Sequence, residues 1–340
     1  MTTINGLVID LLQNILSRLP AFPFASADCV SCYWNDVCDR VLSRPKLSSA
    51  CLSNASLQVA VEGVLNKVLS EPIRPQFAIA STSHLSDLQE ITSKLSSKVP
   101  VIINHSCGII GRDAITDEFK EVYYTRWKNG EKGIMLTVGF VPGLKVKSIS
   151  FPRQIEDPKT FVIDQFVTDI WEFSTSVSGH RSPACIMIFS VVTSCERSMF
   201  PRICVGVTKR RIHSFGKEEA KWMTSLVFHR ILPNFGGDEF LHVDGVGIKT
   251  GDTFRYYCAD SNTARSSVSN LLRSFKQRSV NGSDNREVSG GLIFTSHLRH
   301  MPLLGRPNAD SSAFLENFPG VTFGGTICPE EIGRGYLIAQ

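Results

Sequence analysis

Apolar positions at the start of the chain recur at helical spacing: Leu7, Leu11, Leu12, Ile15, Leu16 and Leu19 fall on one face, and Asp10, Gln13, Asn14 and Arg18 mainly on the other. Pro20 and Pro23 are expected to stop that helix. A second helix is predicted to begin after Ser26 or Asp28 as N-cap, with Val30, Tyr33, Trp34, Val37 and Val41 as its stripe. Two helices this short cannot bury so much apolar surface against each other. Part of it is therefore expected to meet another surface, unless the pair is simply an N-terminal hairpin belonging to the core.

From Pro45 to Pro75 the sequence turns Ser-rich, and Leu57, Val61, Val64, Leu65 and Val68 form an amphipathic stretch. Residues 51–74 read as a helical connector. Next comes a strand, helix, strand pattern: QFAIAS, then HLSDLQEITSKLSSK with Leu85, Leu88, Ile91 and Leu95 on one face, then VPVIINHS. Strands are expected at GIMLTVGFV, LKVKSISF and the apolar run ACIMIFSVV, with a helix around 164–174. Beyond Ser214 the pattern predicts a helix over KEEAKWMTSLVFHRIL and a Gly-rich passage through Gly245, Gly247 and Gly251. That passage breaks the GxGxxG period and reads as strand and turn. Strand TFRYYCA follows, then a helix with Ala264, Val268, Leu271, Leu272 and Phe275 on one face, capped by Asp260 or Ser261. After a polar loop, the last unit is strand GGLIFTS, helix DSSAFLENF, strand GVTFGGT and CPEEIGRG.

The fold class is therefore α+β, or mixed α/β: an all-α module over 1–50, a connector, and α/β regions over 75–213 and 214–340. PVIINHSCGIIGR and GVTFGGTICPEEIGR share a strand, a small polar loop and Ile-Gly-Arg, ending at Arg112 and Arg334. Two related halves and chance similarity both explain this echo.

Composition narrows the function. With 42% hydrophobic and 20% charged residues in 340, the chain is globular rather than disordered. Its net charge of +4 is spread out, and the densest basic run is Lys209, Arg210 and Arg211, which does not argue for nucleic acid. The N-terminus lacks a signal peptide pattern, and the longest apolar run is too short to cross a bilayer, so no membrane association is expected. Cytoplasm and nucleus are the expected locations. The ten cysteines read as reduced thiols. Cys29, Cys32 and Cys38 have no second CxxC to complete a zinc site, and the HxxH of His297 and His300 has no partner ligand nearby in sequence. There is no GxSxG elbow, P-loop or HExxH, so no catalytic residues, cofactor or metal are assigned.

LVIDLLQNILSRLP followed by CVSCYWNDV resembles the F-box, a helical module that binds the Skp-type linker of cullin-based ubiquitin ligases. The match covers residues 4–46 and places Leu7, Leu11, Ile15, Leu16, Leu19, Pro20 and Trp34 at the positions of that pattern. Val8 stands where the pattern has proline, and Ser31 where cysteine is common. The resemblance implies linker binding through these residues, and a cullin beyond the linker.

Residues from about 75 onward are similar to the FIST domain, an α/β sensory-type module. GLIFTSHLRHMP and SSAFLENFPGVTFGGTICPEEIG carry the likeness, with Arg299, Glu331, Ile332 and Gly333 matching and Ser296, His300 and Glu330 departing. This implies a small-ligand site, amino acids being the family proposal, built on Arg299, Glu331 and Gly333. A structural ion pair of Arg299 with Glu331 is the other reading. Taken together, the chain is expected to be a non-catalytic adaptor that brings a protein substrate to a ubiquitin ligase. A ligand-binding sensor is the alternative.

Overall fold

The computed structural model describes residues 4–54, 56–83, 95, 98–124, 132–149, 161–189, 203–213, 221–232, 242–244, 247–258, 260–281, 288–296, 299–305 and 308–328. Three helices open the chain: α1 (Ile4–Leu16), α2 (Ala21–Asp28) and α3 (Cys32–Leu42). The strands that follow form three four-stranded sheets.

The first sheet runs in the order β1-β6-β2-β3, from β1 (Lys46–Asn54), β2 (Phe77–Thr82), β3 (Val101–His105) and β6 (Lys132–Phe140). Period-two alternation splits its two faces. Ala50, Leu52, Ile134, Leu136 and Val138 point to one side. There they meet Leu57, Val61, Val64 and Leu65 of helix α4 (Leu57–Val68) in the largest buried core. Ser49, Cys51, Met135 and Thr137 point to the other side and meet the second sheet.

That second sheet has the order β11-β12-β4-β5, from β4 (Gly108–Arg112), β5 (Phe119–Tyr123), β11 (Gly291–Ser296) and β12 (Phe323–Cys328). The two sheets approach closely because small residues line the contact. A Cβ on Gly324 would collide with the Ser49 hydroxyl and lie 2.7 Å from Thr137 Oγ1. On the far face, Ile110, Phe323 and Ile327 pack against Phe314 and Phe318 at the end of a later helix, with Leu272 alongside. Those helices are α6 (Ser261–Asn281) and α7 (Ala309–Asn317), counting α5 (Phe161–Ser178) before them. The body is thus layered helix, sheet, sheet, helix.

The third sheet is antiparallel, in the order β10-β7-β8-β9, from β7 (Ile203–His213), β8 (Lys221–Ile231), β9 (Val243–Asp244) and β10 (Thr253–Cys258).

Several expectations change. The stretch 51–74 is not a plain helical connector. Its first residues finish β1, which pairs with β6 from Lys46↔Phe140 to Asn54↔Lys132, and its helix packs on the same sheet. Small alternating residues, Ser49 and Cys51 against Ala50 and Leu52, suit a strand squeezed between two layers. Over its described residues KEEAKWMTSLVFHRIL is not a helix, since Lys221–Ile231 forms β8 and pairs with β7 along Cys204↔Arg230 to His213↔Lys221. Cross-strand pairing there overrides helical propensity. Residues 144–149 of LKVKSISF and 185–189 of ACIMIFSVV are irregular, and Ile186, Met187 and Ile188 are exposed. The Ala184–Val192 run is therefore no buried strand over its described residues. Most of HLSDLQEITSKLSSK and all of PEEIGRG lie outside the described residues. The echo segments meet directly, because β4 pairs antiparallel with β12 through Ile109↔Thr326.

Candidate functional site

The N-terminal module is built by local chemistry. α1 ends at Leu16, where the Arg18 and Leu19 amides close short turns onto the Ile15 and Leu16 carbonyls. Pro20 does not merely stop that helix: it is the N-cap of α2, and Pro23 sits in the first turn, where its missing N–H costs nothing. The module therefore has three helices rather than two. Ser31 caps α3, its hydroxyl accepting the Trp34 backbone N–H at 3.2 Å. The serine that departs from the F-box pattern thus has a structural role.

Leu16, Phe24, Ala27, Val37 and Cys38 form a small core, with Leu12, Leu19, Trp34, Val41 and Leu42 packed against it. This sorts the residues picked from the sequence. Leu16 is wholly buried, so it holds the helices together and offers no surface to a partner. Leu19 and Trp34 are partly covered by the same core, and Pro20 is exposed at the start of α2. Leu7 lies in α1, with its side chain outside the described set. Leu11 and Ile15, 63% and 52% exposed, project from α1 away from its buried side. Phe22 at 70%, Val30 and Tyr33 add exposed apolar surface that the stripe of the sequence did not single out as exposed. What the periodicity could not divide is which apolar residues point in and which out. Five large apolar side chains, Leu11, Ile15, Phe22, Val30 and Tyr33, are thus exposed within one module of three short helices.

The module is tied to the α/β body. The Ala21 amide donates to the Leu69 carbonyl at 2.9 Å, just beyond α4, and Arg74 pairs with Asp39 of α3 at 2.8 Å.

Arg299, the other candidate site residue, lies in a π-helical turn (Arg299–Leu304) after β11. Its Nε donates to Asp310 Oδ1 at 2.8 Å and its Nη2 to the Ala264 carbonyl at 3.2 Å. Asp310, buried in the first turn of α7, also accepts from Thr295 Oγ1 at 2.8 Å. Arg299 therefore stitches β11, α6 and α7 together through a carboxylate the sequence reading did not consider. Its guanidinium is already matched. Glu331 and Gly333, the other two residues of the expected ligand site, lie outside the described residues.

A second polar centre sits where the first two sheets meet. Asp113 follows β4; its Oδ1 accepts the Ile115 and Thr116 amides, each at 2.9 Å, and its Oδ2 accepts Lys120 Nζ at 3.0 Å. Burial alone would raise its carboxyl pKa. The Thr116 amide, Lys120 and the Ile115 amide together outweigh that and hold it below the usual carboxylate range. Cys51, beside it, is pushed up to about 12 by burial and then by the Asp113 charge. Its thiol stays protonated and unreactive. Cys38 is buried in the helical core, while Cys29 and Cys32 are exposed, so the three do not share one site. Among the described residues, no group of three or more His, Cys, Asp or Glu could hold a metal ion. No helix among them is long and apolar enough to cross a membrane.

A three-helix N-terminal module with exposed apolar side chains, joined to a layered α/β body, defines an α+β protein. The chain belongs to the F-box proteins: it is 31% identical to an F-box/LRR-repeat protein of Arabidopsis thaliana, with 100% of this chain and 89% of that protein covered. No protein-family model matches the chain. A leucine-rich repeat array stacks its strands in one parallel ladder. Here β1–β6, β2–β6, β4–β5, β4–β12 and β7–β8 are all antiparallel.

Proposed function

We propose that this protein is a substrate-recruiting adaptor of a cullin-based ubiquitin ligase. Its F-box module would bind the Skp-type linker through Leu11 and Ile15, with Phe22, Val30 and Tyr33 at the same surface and Pro20 and Trp34 shaping it. The observation that carries this reading is that Leu11 and Ile15 stay exposed while Leu16 of the same helix is fully buried. Membership of the F-box proteins supports it. An adaptor works by proximity. Holding a substrate near a charged conjugating enzyme raises the effective concentration of its lysines without chemistry from the adaptor itself. The α/β body would hold the substrate. Its reading as a FIST-type domain rests on GLIFTSHLRHMP and SSAFLENFPGVTFGGTICPEEIG, and the sensor alternative gains nothing from an Arg299 already engaged by Asp310.

Co-expression tests the proposal. The wild type should co-purify with the Skp-type linker and a cullin. Leu11→Asp with Ile15→Asp should lose both while keeping its melting temperature, because both side chains are exposed. A wild type that never carries the linker, or a double variant that retains it, overturns the reading.

A further inference from the structure

Among the described residues, the third sheet has an open edge: β10 pairs with β7 on one side only, from Thr253↔Thr208 to Cys258↔Ile203, and is the last strand in the order β10-β7-β8-β9. Its residues 253–256 are all exposed, Phe254 by 57% and Tyr256 by 60%. An edge strand offers a row of N–H and C=O groups to any extended segment that can lie beside it. No proline interrupts this one.

The side chains of β10 give that edge a selectivity. Phe254 and Tyr256 alternate to one face, where their cross-strand partners are the apolar Val207 and Val205. Arg255 points to the other face, between Thr253 and Tyr257, and is the one charge on the strand. The same register puts Cys204, Gly206, Thr208 and Arg210 of β7, and Thr224, Leu226, Phe228 and Arg230 of β8, at this face's positions. None is a carboxylate. Arg255 is exposed there and carries its positive charge at the edge itself. A strand added to β10 would set alternate side chains against Phe254 and Tyr256 on one face and against Arg255, beside the Tyr257–Phe228 pair, on the other.

We propose that β10 receives an extended segment of the protein substrate as an added strand, with apolar side chains toward Phe254 and Tyr256 and acidic ones toward Arg255. This rests on the adaptor reading for the word substrate, while the edge and its charge stand by themselves. Main-chain hydrogen bonds supply affinity, and the alternation supplies choice.

Fluorescence anisotropy on the full chain tests this with three labelled peptides: one alternating valine with glutamate, one alternating valine with lysine, and the acidic one N-methylated at every second amide. The acidic peptide should bind at least about tenfold more tightly than the basic one. N-methylation should abolish binding. Arg255→Glu should reverse the order of the two charged peptides, and Phe254→Ser with Tyr256→Ser should weaken the acidic one. Three results overturn the proposal: equal binding of both charged peptides, indifference to N-methylation, or displacement by single-stranded oligothymidylate, which assigns the face to nucleic acid. A chain that doubles its mass through β10 without peptide also overturns it, since the edge then belongs to a second copy. The Leu11→Asp, Ile15→Asp variant should bind peptide as the wild type does while losing the linker. Peptide binding without linker binding sinks the adaptor reading alone, and the converse sinks this one alone.

Discussion

Arg299 Nε donates to Asp310 Oδ1 at 2.8 Å, and that contact joins the turn after β11 to the first turn of α7. The carboxylate is buried and satisfied by Thr295 as well. Removing one member leaves the other without its charge partner in a covered site, which costs about 2–3 kcal/mol. Asp310→Ala and Arg299→Ala should each lower chemical-denaturation stability by that amount, and the double variant should lose less than their sum. Amino acids at millimolar concentration should leave the melting temperature of the wild type unchanged, because the guanidinium is occupied. A clear rise would return Arg299 to ligand binding.

Ser31→Ala removes the cap of α3. The expected cost is about 1 kcal/mol, felt locally. Hydrogen exchange on the full chain should show amides at the start of α3 exchanging roughly fivefold faster, with the sheet cores unchanged. Unchanged α3 amides would remove the cap from the account.

Thiol reactivity follows burial. Cys29, Cys32, Cys185 and Cys258 are exposed and should be alkylated in the native protein. Cys51, Cys38 and Cys107 should label only after denaturation, the first two also because burial raises their pKa. Peptide mass spectrometry of the alkylated chain reads this directly, and rapid native labelling of Cys51 would contradict the packing of the two sheets.

Asp113 makes stability depend on acid. Its carboxyl is held below its unfolded value, so its contribution is present above the ordinary carboxylate pKa of about 3.9 and is lost as pH falls through the folded value. The melting temperature should drop on acidification below about pH 4. Asp117, held low first by Lys67, and Asp260, held low by Thr263, share that slope. Asp113→Asn isolates its own part: less stable than wild type at neutral pH, with a shallower acid slope. Parallel slopes would show that Asp113 is not held low.

Elements whose pattern and pairing agree were legible from the residues. The α1 periodicity, FAIAST, VIINH, GIMLTVGF, TFRYYC and LIFTS all appear where the alternation of side chains put them. β1 was hidden because KLSSACLSN is too small and polar to look like a buried strand, and its burial comes from two layers closing on it. β8 was misread because the KEEA that precedes it in sequence reads as helix, while its partner β7 lies upstream and no local signal announces the pairing. Of the apolar set read from the N-terminal sequence, the structure buries Leu16 and leaves Leu11, Ile15, Val30 and Tyr33 exposed, with Phe22 as a further exposed residue. Arg299 was singled out as a ligand-binding candidate, whereas the carboxylate it meets, Asp310, sits eleven positions away in another element.

The central claim is that the exposed side of α1 docks the Skp-type linker. Isothermal titration of the purified linker into the full chain tests it most directly, comparing the wild type with Leu11→Ala and Ile15→Ala. Truncating an anchor at the centre of such an interface costs about 2 kcal/mol, so each variant should bind roughly thirtyfold more weakly with unchanged thermal stability. Wild-type affinity in both variants, or no heat of binding for the wild type, would contradict the account.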